Sequence, residues 1–132
     1  MPWDDSHGQG FTAPGVTPWL PMTSRPRNVA GQRADPDSVL WLCKRLLALR
    51  RAELGGGIAD YQQLPAPEGV WAYRVGPLLV AANFSGRPAD LSAAVSAAAG
   101  EVLLTTSGAT PASPPGVLGP WEGIIARLSS RN

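Results

Sequence analysis

The residues able to do chemistry are few and scattered along this chain. Ten carboxylates and one histidine are spread over 132 residues. Hydrolysis by a carboxylate pair needs a nucleophile or base and an acid held about 5 Å apart, or somewhat farther to admit water. Asp4 and Asp5 are neighbours in a glycine- and proline-rich stretch, and Asp35 and Asp37 sit where a helix should begin. Glu53, Asp60, Glu68, Asp90, Glu101 and Glu122 fall singly at a helix end, in turns and at strand edges, so no spacing marks an acid–base pair. A Ser/His/Asp arrangement would have to use His7, yet no Gly-x-Ser-x-Gly elbow occurs, and His7 among Ser6, Gly8 and Gly10 reads as a solvated loop residue. Catalytic residues are therefore assigned to none of these positions.

Other site chemistries are weaker still. One cysteine, Cys43, excludes an intramolecular disulfide and reads as a small core residue, and no metal-ligand cluster can be assembled around one histidine. Gly55-Gly56-Gly57 follows a helix and carries no Lys-Ser/Thr, so it stops that helix and does not cradle phosphate. No cofactor is expected. Asn83-Phe84-Ser85 matches the glycosylation acceptor pattern but reads as a strand end entering a turn. Five tryptophans remain. Flat aromatic faces stack on sugar rings, although buried tryptophan in a β-core is as common. Trp3, Trp19 and Phe11, lying in the loop, are better sugar-contact candidates than Trp71 and Trp121, and no regular exposed aromatic row is evident.

The elements that must position these residues follow from periodicity. Met1 to Ala34 is crowded with proline and glycine and resists both helix and strand. A structureless run beyond about 15 residues is commonly a functional loop or a linker, and its aromatics favour a loop packed on something. Asp35-Pro36-Asp37-Ser38 predicts a helix over 36–51, Asp35 capping and Pro36 in the first position. Val39, Leu42, Leu46 and Leu49, with Leu40, Cys43 and Leu47, cover about half its circumference at roughly 100° per residue, which implies burial against more than one neighbour. Lys44, Arg45, Arg50 and Arg51 form a solvated, dipole-matched face. Strands are expected over 60–64, 70–75, 78–84, 101–106 and 122–128, with a short one at 90–92, in the manner of an antiparallel sandwich. Ser107 to Pro120 and the alanine-rich 93–99 read as surface connections, the latter with some helical content.

Composition sets outer limits. A chain this short falls below the roughly 200 residues of a complete (β/α)8 barrel. A formal net charge of +1 gives no field for nucleic acid or anionic membrane, and no run reaches the roughly 20 apolar residues of a membrane span. No nucleic-acid or membrane partner is expected, and the N-terminus lacks a signal-like pattern, so a cytoplasmic location is.

Met1-Pro2-Trp3-Asp4-Asp5-Ser6, Gly10-Phe11-Thr12, Pro18-Trp19-Leu20-Pro21 and Asn28-Val29-Ala30 resemble the segment after the eighth barrel strand of α-glucosidases and oligo-1,6-glucosidases, within the α-amylase superfamily. Asp35 to Leu40 and Arg45 to Arg50 look like that family's last barrel helix. Leu78 to Ser85 and Leu118-Gly119-Pro120-Trp121-Glu122-Gly123 look like strand motifs of its C-terminal β-domain. The resemblance implies a mainly β chain with one N-terminal helix. Residues 1–57 would be a barrel remnant, with a cleft loop over 1–34 and the helix over 36–51, and residues 58–132 an antiparallel β-sandwich. It implies that Trp3, Asp4, Asp5 and Phe11 shape a substrate cleft, that the barrel is the partner in cis, and that α-glucan contact is possible. In the family the catalytic aspartate and glutamate and a second, substrate-distorting aspartate come from earlier barrel strands, whose motifs do not occur here. The family's Arg-Thr-Pro before Met-x-Trp is also missing, implying a truncated gene, a mispredicted start or a deliberate fragment. A free-standing carbohydrate-binding module, a trehalose-forming or transglycosylating relative, and a small enzyme using Asp4 or Asp5 with His7 are the competing expectations.

Overall fold

The computed structural model describes residues 1–22, 27–57, 59–95, 99–108 and 111–129. The chain divides into two compact units, Met1–Leu47 and Ala48–Asn132, with helix α2 running through the division.

In the first unit, a loop leads into helix α1, Val29–Ala34. This short helix lies inside the stretch expected to resist helix, and Asn28 explains it. A helix start leaves its first backbone N–H groups without partners. Here Val29 N–H donates to the Pro2 carbonyl, Ala30 N–H to the Trp3 carbonyl, and Gly31 N–H to the Asn28 side chain. Partners near the start of the chain, Pro2 and Trp3, therefore complete a cap that the local sequence only begins.

Helix α2 spans Val39–Leu54, shifted from the expected 36–51. Asp35 and Pro36 do not start it. The Asp35 carboxylate and carbonyl accept from Asp37 N–H and Ser38 N–H in a turn, and the Gln32 side chain, carried by α1, accepts from Leu40 N–H in the first turn of α2. The Ser38 hydroxyl donates to the Gln32 carbonyl. The wide apolar arc expected to be buried is only partly covered: no residue of α2 is fully buried, Leu40, Leu42, Leu46 and Leu49 are half-buried, Val39 and Leu47 are exposed, and Cys43, expected in a core, is exposed too.

The second unit is a five-stranded antiparallel sheet, order β1-β2-β3-β7-β5, and a two-stranded ribbon β4-β6. Its strands are β1 (Tyr61–Gln63), β2 (Val70–Val75), β3 (Leu78–Asn83), β4 (Ala89–Asp90), β5 (Ala99–Thr105), β6 (Val117–Leu118) and β7 (Gly123–Leu128). Val75 pairs with Leu78 across a two-residue Gly76-Pro77 turn, where Gly76 supplies the positive φ of 52° that a tight hairpin requires. Strand β6 lies within the stretch expected to be only a connection. Its two residues are too few to show a periodicity. Leu118 to Gly123 is a strand only at its ends; in between is a turn, with Trp121 at φ 57° and the Glu122 carboxylate accepting from Gly119 N–H at 2.8 Å. The expected helical content of the alanine-rich segment falls partly on 96–98, outside the described residues.

One face of the sheet is paved with small side chains. Ala72, Ala81 and Ile124 lie across neighbouring strands and receive Leu91 and Leu118 from beside and within the ribbon, both fully buried. Alanines there let the leucines approach closely enough to exclude water. At the end of β3, buried Asn83 ties this packing together. Its amide donates to the Arg87 and Gly119 carbonyls at 2.7 and 2.8 Å, and its oxygen accepts from Ser85 N–H and the Ser85 hydroxyl. The expected reading of Asn83-Phe84-Ser85 as a strand end entering a turn matches this geometry.

Candidate functional site

Four side chains were singled out for a cleft: Trp3, Asp4, Asp5 and Phe11. All belong to the loop that begins the first unit, whose fold is written in its backbone hydrogen bonds. Trp3 N–H donates to the Gln9 carbonyl at 3.0 Å and closes a tight loop. Inside it, the Ser6 hydroxyl accepts from Gly10 N–H at 3.2 Å. Gly10 has a φ of 77°, and a Cβ there would lie 2.6 Å from the Trp3 Cβ, so glycine is required on both counts.

Asp4 accepts from the Ser6 hydroxyl at 2.6 Å and from Ser6 N–H at 2.9 Å. These two bonds, the hydroxyl first, hold its carboxyl below the usual aspartate range. Asp4 is thus an ionised acceptor at neutral pH and poorly suited to deliver a proton. Asp5 accepts from the Asn28 amide at 2.5 Å. Because Asn28 is buried and its oxygen caps α1, one side chain joins the Asp5 carboxylate to the helix.

Asp4, Asp5, His7 and Gln9, with Thr17 and Leu20, are among the residues lining a pocket of about 350 Å³. Asp5 also borders a second hollow of about 470 Å³ beside Asn28, Gln32 and Asp37. The structure therefore brings Asp4 and Asp5 together at one pocket. It does not place Trp3 or Phe11 in its lining: their side chains are 52% and 57% exposed. Trp19 is 91% exposed. Among the described residues no group of three or more His, Cys, Asp or Glu could hold a metal ion.

Two features escaped the sequence reading. Asn28 was noted only within a motif, although an Asn before an apolar helix start is a capping signal. The second lies on the sheet. Trp71 and Tyr73, two apart on β2, share one face with Tyr61 of β1. Their ring centroids lie 5.0 Å apart for Trp71 and Tyr73 and 5.2 Å apart for Tyr61 and Tyr73. The i, i+2 spacing was visible, but the contribution of β1 depends on register.

Comparison with known proteins gives this geometry a context. Over 97% of its length the chain is 30% identical to a glucan 1,6-alpha-glucosidase of Streptococcus pneumoniae, covering 24% of that protein. It is 43% identical over 39% of its length to an oligo-1,6-glucosidase of Parageobacillus thermoglucosidasius, covering 9% of it. Among solved structures, a trehalulose synthase mutant matches with a TM-score of 0.80 and 27% identity, over 96% of this chain and 24% of that one. The isomaltulose synthase of Klebsiella sp. LX3 matches with a TM-score of 0.79 and 28% identity over the same shares. No family model matches. The chain spans about a quarter of the length of the first-named relative and of both solved structures.

Proposed function

We propose, from the premise that this chain belongs to the α-glucosidases of the α-amylase superfamily (glycoside hydrolase family 13) and corresponds to their C-terminal portion, that it supplies one wall of a substrate cleft and braces a catalytic barrel acting on α-glucosidic bonds. In this reading residues 1–57 complete the barrel. Residues 58–132 are the C-terminal β-sandwich, for which the five-stranded sheet with the β4-β6 ribbon packed on one face is the supporting geometry. Residues of this chain position sugar, and the nucleophile and acid come from the larger enzyme. No described helix is long and apolar enough to cross a membrane.

The observation that carries the proposal is the loop itself. Pro2, Trp3 and Asp5 are fixed to α1 through three backbone carbonyl or side-chain partners, and this pinned loop presents two carboxylates at one pocket. Asp4, held ionised by Ser6, and the neighbouring Asp5 carboxyl group present oxygens that can accept from sugar hydroxyls. The incompletely covered apolar arc of α2, with Val39 and Leu47 exposed and its other leucines half-buried, gives independent support as a surface able to pack on a further element.

The test is a chimera in which this chain replaces the corresponding portion of the pneumococcal relative. A folded chimera should hydrolyse isomaltose, and Asp5→Ala should lower its kcat/KM about tenfold or more, as for lost substrate positioning. A folded, active chimera indifferent to Asp5→Ala contradicts the assignment. A second reading, an isomerising or transglycosylating parent, is favoured by the likeness to trehalulose and isomaltulose synthases, and sucrose offered to the same chimera distinguishes the two.

A further inference from the structure

The sheet carries a group of side chains that the cleft reading leaves unused. Trp71 and Tyr61 are 48% and 54% exposed, and Tyr73 lies between them in ring contact with both. The Trp71 indole N–H donates to the Tyr61 hydroxyl at 3.3 Å, which fixes the two outer rings relative to each other. Gln63 pairs directly with Tyr73 across β1 and β2, so its exposed side chain stands on the same face, whereas Gln62 and Arg74 project from the opposite one.

These four side chains make an amphipathic platform at a sheet edge. It holds three flat rings, two hydroxyl groups and an amide, and no charge. An apolar core partner would leave the Gln63 amide and the exposed edge of three-residue β1 poorly satisfied. An ionic partner would find no counter-charge in the four residues. A pyranose ring meets both demands, with a C–H face for the aromatic surface and hydroxyls at its rim for the amide and phenols.

We propose that Tyr61, Trp71, Tyr73 and Gln63 form a glucan-binding platform, separate in sequence and in compact unit from the Asp4–Asp5 pocket. The platform chemistry stands without the cleft reading; the choice of an α-linked glucan rests on it. Trp71 carries the main stacking contact, as the largest half-exposed ring of the group, and Gln63 and Tyr61 set orientation.

The experiment is affinity electrophoresis of the intact chain in native gels containing dextran, soluble starch or hydroxyethyl cellulose. Dextran or starch should retard the chain. Trp71→Ala should weaken that retardation about tenfold, in the range of an aromatic binding hot spot, while Trp71→Phe, which keeps a flat ring, should recover part of it. Gln62→Ala, on the opposite face of β1, should leave it unchanged, whereas retardation lost in Asp5→Ala but kept in Trp71→Ala would assign the binding to the cleft and overturn the platform. Circular dichroism of Trp71→Ala, expected to match the parent because the side chain is half exposed, guards against unfolding as the cause. The proposal is overturned by absence of retardation in both α-glucan gels, by retardation in hydroxyethyl cellulose alone, or by equal retardation of the parent and a folded Trp71→Ala.

Discussion

The two units hold themselves together by opposite means. In Met1–Leu47 the defining bonds join backbone and polar side chains, and Val29 is the one hydrophobic residue there that is buried among those described. In Ala48–Asn132 the defining contacts are apolar: Leu79, Leu91, Leu118, Ile124 and Ala126 are at most 1% exposed. A loop fixed by polar bonds can keep carboxylates solvated and ionised, which a packed core cannot do without a large desolvation penalty. The proposed cleft residues therefore lie where the core is thin, and the proposed platform lies on the packed sheet.

This contrast predicts different responses to mutation. The largest effect should come from the sheet. Leu118→Ala or Leu91→Ala deletes a fully buried side chain and should destabilise the second unit by about 2–5 kcal/mol, read by urea denaturation. Asn83→Ala should follow, at about 1–3 kcal/mol, because it leaves the Arg87 and Gly119 carbonyls without their amide donor. In the loop, Asn28→Ala should cost about 1–2 kcal/mol and act locally. Amide exchange in 29–34 should quicken while β3 and β7 keep their protection, and equal loosening of both regions would erase the distinction between the units.

The smallest effect should be electrostatic. Glu53, at the end of α2, pairs with Arg127 of β7 at 2.5 Å, and Glu101 lies 3.3 Å from the same guanidinium. The Arg127 hydrogen bond holds the Glu53 carboxyl below its ordinary value. A carboxylate whose folded pKa is depressed contributes stability above its unfolded pKa, and that contribution is lost as pH falls through the folded one. Lowering the pH from neutral past the ordinary glutamate value should therefore narrow the difference in Tm between the parent and Arg127→Ala. That difference, about 1–3 °C at neutral pH for a surface pair, should also shrink in high salt.

Much of this was legible in the sequence, for reasons that differ between the units. Strand β2 falls at the expected 70–75, and β3 and β7 differ from expectation by one residue, because short apolar runs bounded by turn residues are a strong local signal. The shift of α2 had a non-local cause, since Gln32 from α1 takes part in its cap. Helix α1 was hidden for the same reason: two of its cap carbonyls come from Pro2 and Trp3. The adjacency of Asp4 and Asp5 was plain, but their separate anchors, Ser6 for one and Asn28 for the other, were not. The aromatic group at Trp71 and Tyr73 was half visible, since the third ring joins through the β1–β2 register.

The central claim is that this chain positions sugar but does not cleave it. The most direct test is turnover of p-nitrophenyl α-glucoside and isomaltose by the purified chain, with sedimentation velocity on the same sample. The account predicts no turnover, and self-association through the incompletely covered apolar arc of α2. Turnover by a monodisperse monomer, abolished by Asp4→Asn or Asp5→Asn, would contradict it and place the catalytic groups in the loop.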